Sequence, residues 1–304
     1  MEKKGTYKSD ASYPKDTDFS RIARTRQSEW RKMKKYPADK GNLGKYGNFL
    51  DVKFAKTEKV NFLTENIRYL VTQEIENAKK SKALIGEPRI WNNLLSSQPV
   101  CFNLFGEFYF DLNLATTFFQ KLFPRRIDKV MAIKFEYSPG RKDPKYLNDR
   151  SAFDVFVEYR KGDKRGFIGI EVKYAESLKE ETQAQAKKIF DDPEKKYEHW
   201  AKKSKIFKPN TIEFLKQPPI SQIWRDHLLC IATKQDYDDG FFVFLYPKKN
   251  KECENGVKSY IQHLAFDDEK QNCFYPRYLE DFFDALTKSS NANWTNELKQ
   301  RYEI

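Results

Sequence analysis

Histidine and cysteine are scarce in this chain. Its 304 residues include three histidines and four cysteines, and no two cysteines form a Cys-x-x-Cys pair. This composition excludes the ligand spacing of a structural zinc site and the dense cysteine framework of a small secreted protein. We therefore expect free thiols, a cytoplasmic location and, where a metal binds, a hard ion held by oxygen ligands.

Long apolar segments are also missing. The longest uninterrupted apolar run, Phe241 to Tyr246, has six residues, far fewer than the roughly 20 of a membrane-spanning helix. The first ten residues are polar, and no apolar segment follows them. We therefore expect neither a secretory signal nor a membrane partner.

Positive charge is abundant and unevenly distributed. The formal net charge is +12, and residues 1–60 contain 16 Lys or Arg against 8 Asp or Glu. We divide the chain into a basic N-terminal arm, residues 1–57, and a folded domain, residues 58–304. Arg31 and Lys32 of the arm, beside Trp30, are candidate contacts for a nucleic acid. The alternative is a solvated tail, which is common for an N-terminal run of charge.

Two short segments rich in β-branched and aromatic residues predict a β-hairpin. Residues 153–159 and 167–174 both have the pattern of strands, and a glycine-containing segment joins them. In an antiparallel hairpin the numbers of paired residues have a constant sum. A turn centred between Gly162 and Asp163 therefore pairs Asp154 with Glu171. Lys173 lies on the same face as Glu171.

Facing carboxylates need an explanation in such strands, because Asp and Glu are depleted there and opposite like charges repel. A solvated outer face is one explanation. The neighbouring residues argue against it, since Ile168 and Ile170 belong to an apolar face and Phe167 and Gly169 precede Glu171 on the other. An acidic pair in apolar surroundings is costly unless a cation or hydrogen bonds compensate it. The pattern therefore favours a divalent-metal site with a lysine beside it.

The same residues resemble a nuclease signature. Asp154 followed by Glu171-Val172-Lys173 is similar to the D…(D/E)xK pattern of the PD-(D/E)XK nuclease superfamily, in a bacterial branch of it. The resemblance includes residues 101–107 and 135–141 and covers roughly residues 20–250. The proline that names the superfamily is absent, because Ala152 and Phe153 precede Asp154.

The resemblance implies an α/β fold with a restriction-endonuclease-like core. In that core a central mixed β-sheet is flanked by helices in the order αβββαβ, and its antiparallel hairpin carries the site. It further implies Mg²⁺-dependent hydrolysis of phosphodiester bonds in double-stranded DNA, by internal cleavage, with Mn²⁺ as a substitute ion. The metal ligands would be Asp154, Glu171 and the backbone carbonyl of Val172. Lys173 would be a general base or a charge stabiliser, and both roles stay open.

Other candidate site residues come from the same resemblance. Glu107, on the first core helix, is a candidate third metal ligand, and the alternative is an ordinary acid near a helix N-terminus. Glu136 and Glu158 are weaker candidates for this third acid. Gln222 and Arg225 are three residues apart and share one helix face. They are candidate substrate-binding residues, and the alternative, slightly favoured for each residue taken singly, is a polar helix face with Trp224 and Leu228 directed inward.

Apolar periodicity predicts further elements, namely helices over 58–84, 89–97, 105–122, 221–229, 278–289 and 293–303 and strands over 129–137 and 241–246. Two functional alternatives to a DNA nuclease stay open. One is a nucleic-acid-binding protein of the same fold without catalysis, and the other is an RNA-directed nuclease. A homodimer is likewise left open.

Overall fold

The computed structural model describes residues 13–81, 83–178 and 181–304. Its strands are β1 (Lys129–Tyr137), β2 (Phe153–Lys161), β3 (Lys164–Val172), β4 (Asp239–Tyr246) and β5 (Phe274–Tyr278). Its α-helices are α1 (Asp18–Met33), α2 (Val52–Glu58), α3 (Glu65–Ser81), α4 (Arg89–Asn92), α5 (Ser97–Phe110), α6 (Leu112–Leu122), α7 (Gln183–Phe190), α8 (Lys196–Ser204), α9 (Ile212–Leu215), α10 (Ser221–Thr233), α11 (Lys251–Ile261), α12 (Glu269–Asn272), α13 (Leu279–Thr287) and α14 (Asn293–Tyr302). Within these described ranges, every helix is too short or too polar to cross a membrane.

The five strands form one sheet in the order β1-β2-β3-β4-β5. The pairs β1–β2 and β2–β3 are antiparallel, whereas the pairs β3–β4 and β4–β5 are parallel. Parallel neighbours require a long crossover connection, and the segment from α7 to α10 provides it between β3 and β4. The predicted α/β fold with a mixed central sheet is therefore confirmed.

The hairpin has the predicted register. Val155 pairs with Ile170, and Lys161 pairs with Lys164 on either side of the two-residue turn. Gly162 opens this turn with φ 57°, a left-handed conformation that glycine adopts without steric cost and that two-residue hairpin turns require.

Helices cover both faces of the sheet. On one face, side chains such as Val155 and Ile168 pack with residues of α5, α6 and α13. On the other face, Phe156 and Phe167 pack with residues of α8, α10 and α11. Residues 240–246 of β4 are all buried, as expected for a strand that is covered on both sides.

The described part of the basic arm packs against the C-terminal helix, since α1 contacts α14. Arg301 of α14 is fully buried. It donates a hydrogen bond to Gln27 at 3.1 Å, and its guanidinium lies 4.0 Å from the centre of the Trp30 ring. Arg24 forms an ion pair with Asp16 at 2.6 Å. Several positive charges near the chain ends are thus used within the fold, and the domain boundary at residue 57 stays a prediction.

Several elements differ from the predicted pattern. The helix predicted over 58–84 begins only at Glu65, and the helix predicted over 89–97 ends at Asn92. The helix predicted over 105–122 is divided into α5 and α6 at Asp111, whose Oδ1 caps α6 by accepting from the backbone N–H groups of Asn113 and Leu114. Strand β5 was not predicted, because it contains Pro276 and Arg277. It pairs with β4 alone, and such an edge strand tolerates proline.

Candidate active site

Strands β2 and β3 bring two carboxylates to the same end of the sheet. Asp154 is the second residue of β2 and Glu171 the second-last of β3. The paired residues end at Val155 and Ile170, so Asp154 and Glu171 are the next positions of the same antiparallel register. Asp154 Oδ2 accepts a hydrogen bond from the backbone N–H of Val172 at 2.8 Å. This bond holds the Asp154 carboxylate against the end of β3.

Glu171 is held by two side-chain donors. Its Oε1 accepts from Lys173 Nζ at 2.7 Å and from Gln222 Nε2 at 2.8 Å. Glu171 and Lys173 are both buried. The backbone N–H of Lys173 donates to the carbonyl of Leu245 at 2.8 Å, so β4 fixes the position of this lysine directly after β3 ends. The structure therefore brings together the three predicted catalytic residues and Gln222.

Helix α10 supplies the opposite wall. Gln222, Arg225 and Asp226 occur at helical spacings of three and four residues, which places them on one face. Arg225 Nη1 donates to Glu181 at 3.2 Å, and the hydroxyl of Ser221 also donates to that glutamate. Glu181 thus anchors the first turn of α10 over the hairpin.

These elements enclose a cleft of about 490 Å³. We call it the carboxylate cleft, and its charged lining residues include Glu136, Asp154, Glu171, Asp226, Arg141, Arg150 and Arg225. The predicted substrate-binding residues Gln222 and Arg225 both line it. The cleft combines several acids with arginines in its lining, an arrangement suited to a cation and a phosphate together.

Burial and mutual repulsion disfavour charge on the acids. Burial and the nearby charge of Glu171 raise the pKa of Asp154 well above its usual range. The same two causes raise the pKa of Asp226. Burial, with a smaller contribution from Glu171, raises the pKa of Glu136 to about 7, although a hydrogen bond from Gln98 opposes the shift. A cation in the cleft would relieve this repulsion.

For Lys173, the nearby charges and burial act on the pKa in opposite directions. Burial alone would lower its pKa, yet the charges of Glu171 and Asp154 outweigh burial and raise the pKa of Lys173 above its ordinary value. The ammonium is therefore protonated at neutral pH when the cleft holds no metal. It offsets one negative charge of the acid pair.

Two further acids line the cleft. Asp226 was not predicted as a site residue, whereas Glu136 was a weaker candidate for the third acid. Asp226 is buried, and its Oδ2 has no hydrogen-bond partner among the described residues. Its spacing from Gln222 was a usable signal. Glu136, at the end of β1, has φ 47°. Such a left-handed conformation is uncommon in a residue with a side chain, and strained residues of this kind cluster at functional sites.

The structure places three other predicted residues elsewhere. The carboxylate of Glu107 accepts hydrogen bonds from the hydroxyl of Thr64 and from Asn66 at 3.1 Å, beside the start of α3. It does not line the carboxylate cleft. Arg31 donates to the backbone carbonyls of Gly47 and Tyr36 at 3.0 and 2.9 Å. Lys32 is exposed on α1, and no described residue of the arm lines the cleft.

The donor set fits a hard divalent ion in its chemistry. Asp154 and Glu171 are facing carboxylates, and Mg²⁺ prefers such oxygen ligands. The unpartnered Oδ2 of buried Asp226 is a further oxygen within the same cleft. In the present side-chain arrangement, no group of three or more His, Cys, Asp or Glu residues within the described ranges has the geometry of a metal site. Glu171 is instead paired with Lys173.

The chain is similar to a known protein family. A family model described as the PD-(D/E)XK nuclease superfamily matches residues 14–303, almost the whole chain. No curated protein and no solved structure matches the chain.

Proposed function

Because the chain belongs to the PD-(D/E)XK nuclease superfamily, we propose that it is a metal-dependent nuclease that cleaves DNA internally. The observation that carries this proposal is the arrangement of Asp154, Glu171 and Lys173 at one end of the sheet. Burying two facing carboxylates, with a lysine bonded to one of them, costs free energy unless these groups bind a charged ligand.

Asp154 and Glu171, with the backbone carbonyl of Val172, would hold Mg²⁺ or Mn²⁺. When bound, the ion supplies a water of lowered pKa and draws charge from the phosphate oxygens. Val172 is suited to its role because its own N–H already fixes Asp154 at 2.8 Å. Gln222 orients Glu171 from the side of α10 at 2.8 Å.

Lys173 is better suited to charge stabilisation than to proton abstraction. Its ammonium lies 2.7 Å from Glu171, and the neighbouring acids raise its pKa. A general base must be neutral to accept a proton. An ammonium that stays protonated instead neutralises negative charge as it develops on the phosphate. Arg225, at the cleft wall, is a second cation for the phosphate.

A cleavage assay tests the proposal. Closed circular plasmid and linear DNA are incubated with Mg²⁺ or Mn²⁺, and the wild type is compared with Asp154→Asn and Lys173→Ala. We expect metal-dependent loss of the closed circle with the wild type, because a circle has no ends and only internal cleavage opens it. Both variants should lose at least about a hundredfold in rate, the loss typical when a charge stabiliser of the reaction is removed.

Glu213→Gln is a suitable control, because this carboxylate is 79% exposed and lies on α9. It should cleave at the wild-type rate. Cleavage that survives both Asp154→Asn and Lys173→Ala would refute the assignment of the site. Tight binding of DNA without cleavage in any metal would favour a binding protein of the same fold, and cleavage confined to RNA would identify the other polymer as substrate.

A further inference from the structure

A second groove runs along the free edge of the sheet. Edge strand β1 forms its floor through residues 132–137, and Glu74 of α3 and Tyr109 of α5 lie on its wall. This edge groove has a volume of about 490 Å³. Glu136 and Arg141 line both the edge groove and the carboxylate cleft. A chain lying in the groove would therefore pass directly to the acids.

Tyr109, which lines this groove, belongs to a cluster of exposed aromatic rings. Tyr69, Tyr109 and Phe110 are 59%, 49% and 43% exposed. The ring centres of Tyr109 and Phe110 are 5.2 Å apart, and those of Tyr69 and Phe110 are 6.4 Å apart. Three large rings clustered in solvent are costly for a monomeric protein unless they contact a partner. Rings of this kind stack on nucleic-acid bases, whatever the base sequence.

Arg141 places a positive charge where the two cavities meet. Its guanidinium donates to the backbone carbonyls of Glu136 at 2.7 Å and Arg150 at 3.4 Å. Within the described residues it forms no ion pair with a carboxylate, so its charge is available to a phosphate. By contrast, Arg31 of the basic arm donates hydrogen bonds inside the fold. The edge of the sheet is therefore the better-supported binding path for a nucleic-acid strand.

We propose that the edge groove binds an unpaired nucleic-acid strand and guides it into the carboxylate cleft. The strand is unpaired because the rings can stack only on bases whose faces are free, and the bases of a duplex are already stacked on each other. This inference rests on the proposed nuclease function for its purpose. It deepens that function by naming substrates with a single-stranded segment, such as an unpaired stretch within a duplex.

Binding without divalent metal tests the groove independently of cleavage. The full-length protein is titrated into fluorescent oligonucleotides of equal length, as single-stranded DNA, single-stranded RNA and blunt duplex DNA. Tyr109→Ala and Phe110→Ala should each weaken single-strand binding by about tenfold, the usual effect of removing one stacking ring. Duplex binding should change much less. The polymer that binds more tightly identifies the preferred strand.

Matched variants separate stacking from damage to the fold. Tyr109→Phe keeps the ring and should bind like the wild type. Phe266→Ala removes a ring of similar exposure, 40%, and should have no effect. Arg141→Gln should lower the slope of log affinity against log salt by about 0.7, the contribution of one phosphate contact to a single strand.

Three outcomes would overturn the proposal that the edge groove binds a single strand. The first is single-strand binding that Tyr109→Ala and Phe110→Ala leave unchanged. The second is an equal loss for single strand and duplex. The third is self-association, measured by sedimentation, that these variants abolish while strand binding persists, since the rings would then contact a second copy. A protein that binds strands through the groove but never cleaves would refute the proposed function and leave this inference standing.

Discussion

Replacing His227 with glutamine should remove part of the acid sensitivity of the fold. The ring Nε2 lies 2.8 Å from the backbone carbonyl of Asn272, which can only accept, so Nε2 carries the proton. Nδ1 then accepts from the hydroxyl of Tyr260 at 2.8 Å. Phe242 and Phe274 stack beside the ring at 6.0 and 5.4 Å between centres. The imidazole is therefore neutral and satisfied, and burial lowers the pKa of His227 to about 3.

The sign and size of the effect follow from linkage. In the unfolded chain a histidine has a pKa near 6.5. Its folded pKa is lower, so the stabilising contribution is complete above pH ~6.5 and is lost as the pH falls toward 3. Between about pH 7.5 and pH 5 the unfolded state takes up the proton and the folded state does not. Stability should fall by about 2 kcal/mol over this interval.

Urea unfolding of wild type and His227→Gln at the two pH values measures the effect. Glutamine can donate to Asn272 and accept from Tyr260, but it does not titrate. The variant is expected to lose absolute stability from poorer packing. What decides the test is the change in unfolding free energy between the two pH values, which should be about 2 kcal/mol smaller in the variant. Titration of other groups cancels in this difference.

His199→Gln is the control, because it makes the same substitution at an exposed histidine of α8. The reasoning would be refuted if wild type and His227→Gln lost the same free energy between the two pH values. It would be refuted equally if the change in unfolding free energy between the two pH values became smaller in His199→Gln and not in His227→Gln.

Two further predictions concern the sheet that carries the site. In the metal-free wild type, the raised folded pKa of Glu136, about 7, makes stability fall as the pH rises from about 4.5 to 7. Glu136→Gln removes this loss, so the variant should be stabilised above pH ~7 by up to about 2–3 kcal/mol relative to acidic pH. Urea unfolding at pH ~5 and ~8 checks this, and equal pH dependence in both proteins would contradict it. Gly169→Ala should destabilise the fold by about 1–3 kcal/mol, since its new Cβ would lie 2.3 Å from the Phe153 ring. Gly86→Ala, whose nearest atoms are 3.9 Å away, is its control in thermal unfolding, and an equal change in both variants would argue against the contact.

Local rules of sequence were sufficient for the hairpin. A two-residue turn at Gly162 and Asp163 determines which residues pair, because the side-chain period of a strand leaves no freedom once the turn is set. The pairing of Val155 with Ile170 follows from that turn alone. Strand β1 was also predicted with its observed bounds, 129–137, since its apolar pattern has no competing helical period.

The basic arm shows where composition fails. A count of Lys and Arg cannot distinguish a charge that faces solvent from one that is bonded inside the fold. Arg31 reaches the carbonyls of Gly47 and Tyr36, and Arg24 pairs with Asp16 at the protein interior. Helix α1 also packs on α14, more than 250 residues away in the chain. Such contacts between distant segments leave no periodic signal in either segment.

The acids of the cleft could be predicted from the sequence only in part. Glu107 was chosen by analogy with relatives, yet the hydroxyl of Thr64 and the amide of Asn66 hold it at the start of α3. Asp226 was overlooked, although it is four residues after Gln222 and therefore on the face of α10 that was already considered. What the sequence could not provide was the approach of α10 to β3, which the bond from Gln222 to Glu171 makes visible at 2.8 Å. Once that one long-range contact is known, helical periodicity alone brings Asp226 to the cleft, and a buried carboxylate with a free oxygen becomes an expected part of a cation site.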